Sequence, residues 1–336
     1  MNIIAMKTFE INASKQDESN VATLNLLDLN NDVLELIFKK LDVRSLIKTT
    51  EVCTRFNDLI SDSSKLMKNI RLKVVKCKNE PFFWRTRNVV QSVRKYKSIY
   101  VESLSSAYPL EEDEIKSFLV RILHKFGPNI KDLEIKGLKF KSHNELQELM
   151  TSFENIESCC LTNVDVDDNT IKEETQLKFT KLRKLEVIEC NFMCNQIFRN
   201  CDKLTKLYIK PVMTLNLNYN PLYFEHIEDL VFKQQKLKQL MLHSVPNGFL
   251  FKNDHSKQVK FQLILFKSWN SLFVNRGAAM NFFGTQHKLS KVVFFIDNVE
   301  YQEKDELVEM YQEILVPIKK SPHLKFSRIV LTTNLV

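Results

Sequence analysis

Residues 29–60 constrain the fold more than any other part of the chain, because they carry two sets of apolar residues at helical spacing. The first set is Val33, Leu34, Ile37, Phe38 and Leu41. The second set is Leu46, Ile47, Val52, Cys53, Phe56, Leu59 and Ile60. Asp42 and Ser45 lie between the sets and are suited to capping helix starts. The pattern predicts three short helices. Because three short helices bury little surface among themselves, we expect the segment to pack on a partner or on the rest of the chain.

The same positions resemble the F-box, whose members read roughly Leu-Pro-x-Glu-x-Leu, then Ile-Phe, a Leu, and a Leu-x-x-x-x-x-Val-Cys run followed by an aromatic residue. The matching positions here are Leu29, Asn30, Asp32, Leu34, Ile37, Phe38, Leu41, Leu46, Val52, Cys53 and Phe56. The largest departure is Asn30, which stands where the family usually has a proline that fixes the start of the first helix and touches the adaptor. The alternative is an ordinary helical hairpin whose apolar residues form only a core.

This resemblance implies docking on a Skp-type adaptor and, through the adaptor, on a cullin scaffold. The residues expected to bind the adaptor are Leu29, Asn30, Val33, Leu34, Ile37, Phe38, Leu41, Leu46, Val52 and Phe56. Some of them must hold the three helices together instead, and the sequence does not separate the two roles.

From about residue 65 the chain returns repeatedly to one short pattern, in which an apolar anchor is followed by apolar residues three, five and often eight positions later. Clear copies begin at Met67, Tyr96, Ile130, Ile156, Leu182, Leu204 and Leu237. Looser copies place Leu263 and Leu265 after Lys260, and begin at Leu289 and Phe326. Anchors 130, 156, 182 and 204 are 26, 26 and 22 residues apart, which is within the range of leucine-rich repeats.

Helical patterns such as Glu145–Met150 and Asp305–Tyr311 lie between anchors. The Leu-x-x-Leu-x-Leu-x-x-Cys form of Leu182–Cys190 resembles the cysteine-containing leucine-rich repeats often found behind an F-box. The predicted fold class is therefore α/β, with a three-helix F-box followed by an irregular leucine-rich-repeat solenoid of short parallel strands and helices. A doubly wound α/β sheet is the competing architecture, but short strands without long Val/Ile runs favour the solenoid. The expected domains are a disordered segment at 1–22, the F-box at 23–66 and the repeats at 67–336.

A formal net charge of +8 arises from 49 basic and 41 acidic residues, with basic stretches at Lys65–Lys78 and Arg85–Lys97. These stretches could bind phosphate backbones, but a solvated basic surface is the favoured interpretation because no nucleic-acid fold motif accompanies them. A membrane partner is not expected, because no run of 18 apolar residues occurs. Residues 1–20 lack the order of a signal peptide, so we expect the cytoplasm or nucleus and reduced cysteines.

The sequence predicts neither catalytic residues, nor a cofactor, nor a metal site. The five glycines build no Gly-x-Gly-x-x-Gly or P-loop motif. The seven histidines are scattered and form no His-x-x-x-His pair. Cys190, Cys194 and Cys201 form the closest thiol group, but their spacing supplies no Cys-x-x-Cys pair, so we expect buried structural thiols. Cys159 and Cys160 are adjacent on a predicted strand, where one should face the core and the other should face out.

In leucine-rich folds, the strand residues that do not stack inside line a second surface, which is where a target would bind. The residues predicted for target binding are Lys184, Lys206, Tyr208, Met241, Ile264, Phe266, Val293 and Phe295. This surface should change from charged to apolar near residue 240, and an exposed apolar patch normally marks a binding site. The alternative is that the late strands are buried on both faces beneath an aromatic-rich loop at Trp269–Phe283.

These features together predict a substrate-recognition subunit of an SCF-type E3 ubiquitin ligase. Two alternatives from other classes remain at this point. One is a protein-interaction scaffold that acts outside a ligase, and the other is a nucleic-acid-associated module that uses the basic stretch.

Overall fold

The chain forms two compact units, Met1–Ile60 and Ser61–Val336. The computed structural model describes residues 25–76, 89, 92–103, 120–168, 178–191, 197–198, 200–211, 227, 230–231, 234–243, 260–268, 276–296, 304–319 and 322–331. Outside these residues lie the predicted disordered segment at 1–22, the thiol of Cys194, and residues 77–78, 85–88 and 90–91 of the two basic stretches.

Three short helices follow a 3-10 turn at Leu26–Asp28, as the apolar spacing predicts. They are α1 (Asn31–Phe38), α2 (Val43–Thr49) and α3 (Thr54–Asp62). The N-terminus of α2 is capped by Asp42, whose Oδ1 accepts the backbone N–H groups of Arg44 and Ser45 at 2.9 and 3.0 Å. The Ser45 hydroxyl donates to the other carboxylate oxygen at 2.7 Å. Asp42 is therefore the N-cap of α2, and Ser45, in the first turn of the helix, donates hydrogen bonds to its carboxylate.

The second unit is built on a parallel sheet with helices, which makes the structure mixed α/β. Ten strands form the main sheet: β1 (Arg71–Lys76), β2 (Ser98–Ser103), β3 (Asp132–Lys136), β5 (Ser158–Thr162), β7 (Lys184–Ile188), β8 (Lys206–Lys210), β9 (Gln239–His243), β10 (Leu263–Ser268), β11 (Lys291–Ile296) and β12 (Phe326–Leu331). Strands β4 (Lys139–Ser142) and β6 (Asp165–Asp168) form a separate parallel pair. The helices of this unit include α4 (His143–Thr151), α5 (Arg276–Thr285) and α6 (Lys304–Lys319).

Neighbouring strands of the main sheet follow the order of the chain, from β1 at one edge to β12 at the other. Every described pair in it is parallel. A doubly wound sheet would reverse its strand order at a switch point. Among the described strands no such reversal occurs.

One hydrogen-bond motif recurs at the residue just before eight strands of the main sheet, β2, β3, β5 and β7 to β11. The carbonyl of Lys131 accepts the backbone N–H groups of both Glu157 and Ser158, at 2.7 and 2.9 Å. The equivalent carbonyl does the same for the following strand at Lys97, Lys131, Glu157, Arg183, Thr205, Lys238, Gln262 and Ser290. We call this series the carbonyl ladder. It satisfies the backbone polar groups of the turns and holds the strand starts in register.

A second recurring feature is a left-handed residue directly after a strand. Gly137, Asn163 and Glu189 have φ values of 66°, 49° and 53°. They lie 26 residues apart, and the N–H of each donates to the last residue of the next strand: Thr162, Ile188 and Lys210. At Gly137 a Cβ atom would lie 2.6 Å from the Ser103 carbonyl oxygen, which is a steric clash. Glycine is therefore required there both by this clash and by the left-handed φ.

The core lies on one face of the sheet, where two rows of apolar residues run across the strands. One row passes through Leu133, Cys159, Leu185, Leu207 and Leu240, and the other passes through Ile135, Leu161, Val187, Ile209 and Leu242. All ten side chains are buried. They are the residues predicted at three and five positions after the anchors.

Helices α5 and α6 pack against the same face at the late strands. The ring of Phe294 on β11 lies 5.9 Å from Phe283 of α5 and 5.1 Å from Tyr311 of α6, between centroids. Residues 276–283 of the predicted loop at Trp269–Phe283 are thus part of a helix, and the remainder lies outside the described residues.

The register of β10 corrects the sequence prediction by one residue. Ile264 pairs with Leu240 and Val292, and Phe266 pairs with Leu242 and Phe294, so both side chains belong to the buried rows. The anchor is Phe261, which is buried, and not Lys260. A shift of one residue exchanges the two faces of a strand, and the error arose because four consecutive apolar residues at 263–266 fit either register. In β12 the shift is two residues: Phe326 is exposed, and Ile329, predicted in the row of Val292, pairs with Phe294 instead.

Candidate partner-binding surfaces

Asn30, the position at which the sequence departs from the F-box pattern, is the N-cap of helix α1. The Asn30 side-chain oxygen accepts the backbone N–H of Val33 at 2.9 Å and so caps the helix. Its backbone has φ −68° and ψ 162°, and φ lies in the range that proline imposes. The preceding residue, Leu29, is extended at φ −67° and ψ 143°, as a residue before proline would be. Asn30 therefore gives the backbone the conformation that a proline would give it, and its side chain also caps the helix.

Arg55 on α3 forms hydrogen bonds with the segment that leads into α1. Its guanidinium donates to the carbonyl oxygens of Leu27 and, at 2.7 Å, Leu29. It also donates to the Asn31 side chain at 2.9 and 3.2 Å. A planar fork of donors suits this set of acceptors better than an ammonium group would. The contacts tie residues 27–31 to a helix more than twenty positions later.

The ten residues predicted to bind an adaptor divide into two groups. Leu34, Phe38, Leu46 and Phe56 are buried, and the rings of Phe38 and Phe56 pack edge to face with centroids 5.0 Å apart. These four side chains are not accessible at the surface of the unit, so we assign them to its core. Val33, Ile37, Leu41 and Val52 are exposed, Asn30 is exposed at the cap, and Leu29 is partly exposed.

Four exposed apolar residues of this unit were missed from the sequence: Leu26, Leu27, Leu36 and Val43. Helix α1 shows the signal that could have found Leu36. Leu34 and Phe38 are four residues apart and form its buried stripe, whereas Val33, Leu36 and Ile37 form a second stripe on another side. Leu36 is 64% exposed, and Val33 and Ile37 are each 37% exposed. A helix that is apolar on two sides offers one of them to a partner.

The face of the main sheet opposite the core carries a central row that changes in character along the sheet. The row runs through Lys73, Tyr100, Glu134, Cys160, Glu186, Tyr208, Met241, Leu265, Val293 and Arg328. It is polar as far as Tyr208 and apolar from Met241 to Val293, so the predicted change near residue 240 is present.

Some of the apolar residues on this face are not the ones predicted. Leu263 and Leu265 lie on this face in place of Ile264 and Phe266, which are buried in the core rows. Met241 and Phe295 are partly exposed. Val293 lies on this face but is only 4% exposed, so it is corrected to a buried residue.

The polar part of the face is organised by ion pairs between strands, one from β1 across β2 to β3 and one between β2 and β3. Arg71 and Glu134 approach to 2.8 Å, as do Lys136 and Glu102. The hydrogen bond from Lys136 holds the pKa of Glu102 below its ordinary value, while burial, together with the Glu102 carboxylate, raises the pKa of Tyr100 to about 12. Glu134 and Glu102 therefore each have a basic partner, which offsets part of the charge on this surface.

The predicted target-binding residues on β7 and β8 differ in their availability. Lys184 pairs with Glu186 at 2.9 Å. The Tyr208 hydroxyl lies 3.2 Å from Nε2 of His243, and the two rings pack edge to face. Lys206 is exposed and makes no ion pair with any described residue.

The described cysteines form no disulfide bond. Cys159 faces the core and Cys160 the other face, as predicted, and burial raises the pKa of both, that of Cys160 to about 11. Cys190 and Cys201 are buried, and the Cys190 thiol donates to the carbonyl of Ile188 at 3.3 Å. In the part of the chain that the structure describes, no group of three or more His, Cys, Asp or Glu residues is placed to hold a metal ion. None of the described helices has the length and apolarity needed to span a membrane.

Comparison with known families identifies an F-box domain at residues 26–68. The match begins at the 3-10 turn, includes α1 to α3 with Asn30 and Arg55, and ends just before β1. Comparison with curated proteins gives no match.

Proposed function

We propose that this chain is a substrate receptor of an SCF-type ubiquitin ligase, in which the F-box binds a Skp-type adaptor and the sheet unit binds a target protein. The presence of an F-box domain at residues 26–68 suggests a substrate-adaptor role in such ligases and is the observation that carries the proposal.

The adaptor-binding surface that we propose is the exposed apolar ridge of the first unit, consisting of Val33, Leu36, Ile37, Leu41 and Val52. Leu26 and Leu27 precede it in the 3-10 turn, where the Leu27 carbonyl accepts a hydrogen bond from Arg55. Exposed apolar side chains in a small helical unit are unfavourable in water and are stabilised when a partner covers them. Asn30 supports this surface by starting α1 with its cap.

For the second unit we propose a leucine-rich-repeat solenoid. Three observations support it: strand order that follows the chain, the carbonyl ladder at strand starts, and left-handed residues 26 positions apart at strand ends. In repeat proteins each unit buries its apolar face only against its neighbours, and the two buried rows match this requirement. We place the repeats at 67–336, after an F-box at 23–66 and an N-terminal segment at 1–22.

The target-binding surface is proposed on the face opposite the core. Of the residues first predicted there, we retain Lys184, Lys206, Tyr208, Met241 and Phe295, and Leu263 and Leu265 replace the buried Ile264 and Phe266. The polar strands and the apolar strands adjoin at β8 and β9, so one partner can contact both.

In this role the chain performs no chemistry on the target. F-box proteins are in general non-catalytic adaptors. The contribution of a receptor is to raise the effective concentration of the target near the enzyme that carries ubiquitin, with the cullin as scaffold. Cytoplasm and nucleus are the compartments in which we expect it to act.

Co-purification of the tagged full chain from cell extract tests the proposal. The wild type should recover a Skp-type adaptor and a cullin, and Val33→Asp should lose both. Val93→Asp is the matched control, since Val93 is also an exposed valine but lies outside the F-box match. Recovery of other proteins without adaptor, unchanged by Val33→Asp, would instead indicate a scaffold that acts outside a ligase.

A further inference from the structure

Within the described residues, the turns that lead into β7–β12 carry many cations and almost no anions. The described residues concerned are 178–184, 200–206, 234–239, 260–263, 286–291 and 322–326. They include twelve lysine or arginine residues and a single acidic residue, Asp202. The turns into β3 and β5 are different, because Lys131 there pairs with Glu157 at 2.5 Å, and Asp132 and Glu154 add further negative charge.

The parallel sheet brings these turns to one edge. Because all six strands run in the same direction, their first residues lie side by side, and the carbonyl ladder fixes the backbone of each turn against the next. At about 4.8 Å between neighbouring strands, the edge from β7 to β12 extends about 24 Å. This length equals that of about seven residues of extended polypeptide at about 3.3 Å each.

Six exposed cations lie along this edge. We call Arg183, Lys203, Lys206, Lys238, Lys288 and Lys325 the basic rim. In the part of the chain that the structure describes, none of these six side chains forms a salt bridge or a side-chain hydrogen bond. A row of unpaired like charges raises the free energy of the folded chain and attracts an anionic partner.

Apolar side chains adjoin the rim and indicate which kind of anion fits. Leu263 stands in the same row as Lys206, Gln239 and Lys291. Met241 and Leu265 lie in the central row of the same face. Polypeptide with acidic and apolar residues in alternation can satisfy both features, whereas single-stranded nucleic acid requires aromatic platforms for its bases. Phe326 is the one exposed aromatic residue of these described turns, and Lys291 lies over its ring at 5.2 Å.

We propose that the basic rim binds an acidic segment of the target protein, whose apolar side chains lie on Leu263, Met241 and Leu265. This inference rests on the proposed receptor function, because it gives the chemistry of the target that such a receptor would select. Charge complementarity at an edge mainly raises the association rate and selects among partners.

Fluorescence anisotropy with three labelled probes tests the inference on the full chain. The probes are a peptide of alternating Glu and Leu, the same peptide with Lys in place of Glu, and oligothymidylate of similar length. The test variant is Lys206→Glu/Lys238→Glu. The control is Lys73→Glu/Lys125→Glu, which makes the same change in net charge at exposed positions away from the rim. Thermal unfolding by circular dichroism verifies that both variants are folded.

We expect the Glu-Leu peptide alone to bind the wild type, with an affinity that falls as salt is raised. The rim variant should weaken this binding at least about tenfold and the control by less than about twofold. Unchanged peptide affinity in the rim variant, or no peptide binding by the wild type, would overturn the inference. So would tighter, rim-dependent binding of oligothymidylate. Adaptor binding, measured in parallel, should be the same in all variants. A wild type that binds the peptide but no adaptor would overturn the receptor function, while peptide binding by the basic rim would still stand.

Discussion

The side-chain oxygen of Asn30 accepts the backbone N–H of Val33 at 2.9 Å and thereby starts the helix that presents the exposed apolar ridge. The residue that departs most from the F-box pattern therefore has a structural role of its own. It occupies backbone angles that a proline would also adopt.

Removing this cap should destabilise α1 without changing its course. We expect Asn30→Ala to lower the free energy of helix opening by about 1 kcal/mol, because one backbone N–H loses its acceptor. Hydrogen exchange at the amides of Val33 and Leu34 measures the change directly. Asn30→Ser should exchange like the wild type, and Asn69→Ala, at an exposed asparagine that caps no helix, is the control. Equal exchange in Asn30→Ala and the wild type would contradict the capping role.

A test of the repeat turns uses the left-handed residue Asn163. At φ 49° a β-branched side chain is strained, so Asn163→Val should destabilise the chain by about 1–3 kcal/mol. Glycine adopts this conformation without a steric cost, so Asn163→Gly should leave stability unchanged or raise it by up to about 1 kcal/mol. Urea unfolding of the two variants gives both values. The turn assignment fails if valine and glycine have the same effect.

The register of β10 predicts opposite behaviour for two adjacent residues. Ile264 is fully buried in the core row, so Ile264→Ala should cost about 2–5 kcal/mol through the cavity that it leaves. Leu265 lies on the other face and is partly exposed, so Leu265→Ala should cost about 1 kcal/mol. Thermal unfolding of both variants decides between the registers. A larger loss for Leu265→Ala would restore the register that the sequence alone suggests.

The cap of α2 makes stability depend on pH. The backbone N–H and hydroxyl of Ser45 hold the pKa of Asp42 below its ordinary value of 3.8. Because the folded state has the lower pKa, the charged cap stabilises the chain fully above about pH 3.8, and this contribution is lost as the pH falls through the folded pKa. Asp42→Asn keeps a capping oxygen but does not titrate.

Melting temperatures of the wild type and Asp42→Asn should therefore differ by a constant amount from about pH 8 to pH 5. The advantage of the wild type should vanish at lower pH. Asp42→Ser, with a capping hydroxyl, is a second non-titrating reference and should follow Asp42→Asn. An advantage that persists in strong acid would show that the charge of Asp42 does not contribute.

Sequence periodicity was sufficient for the three helices, the Asp42 cap and most strands, because burial of alternating residues is a local signal. It failed at β10, where the run Leu263–Phe266 is apolar at every position and neighbouring strands decide which side is buried. Likewise, the sequence could not separate Leu34 and Phe38 from Val33 and Ile37, because the two stripes of α1 are distinguished by packing alone. The basic rim depends on residues far apart in sequence that the parallel sheet places at one edge.

Titration of purified full-length chain into purified Skp-type adaptor by calorimetry tests the central claim most directly. The account predicts one-to-one binding by the wild type and at least about a hundredfold weaker binding by Val33→Asp/Ile37→Asp, since two charges would be buried without partners. Val93→Asp, the matched control, should bind like the wild type. Absence of binding by the folded wild type, or equal affinity of the wild type and the double variant, would contradict it.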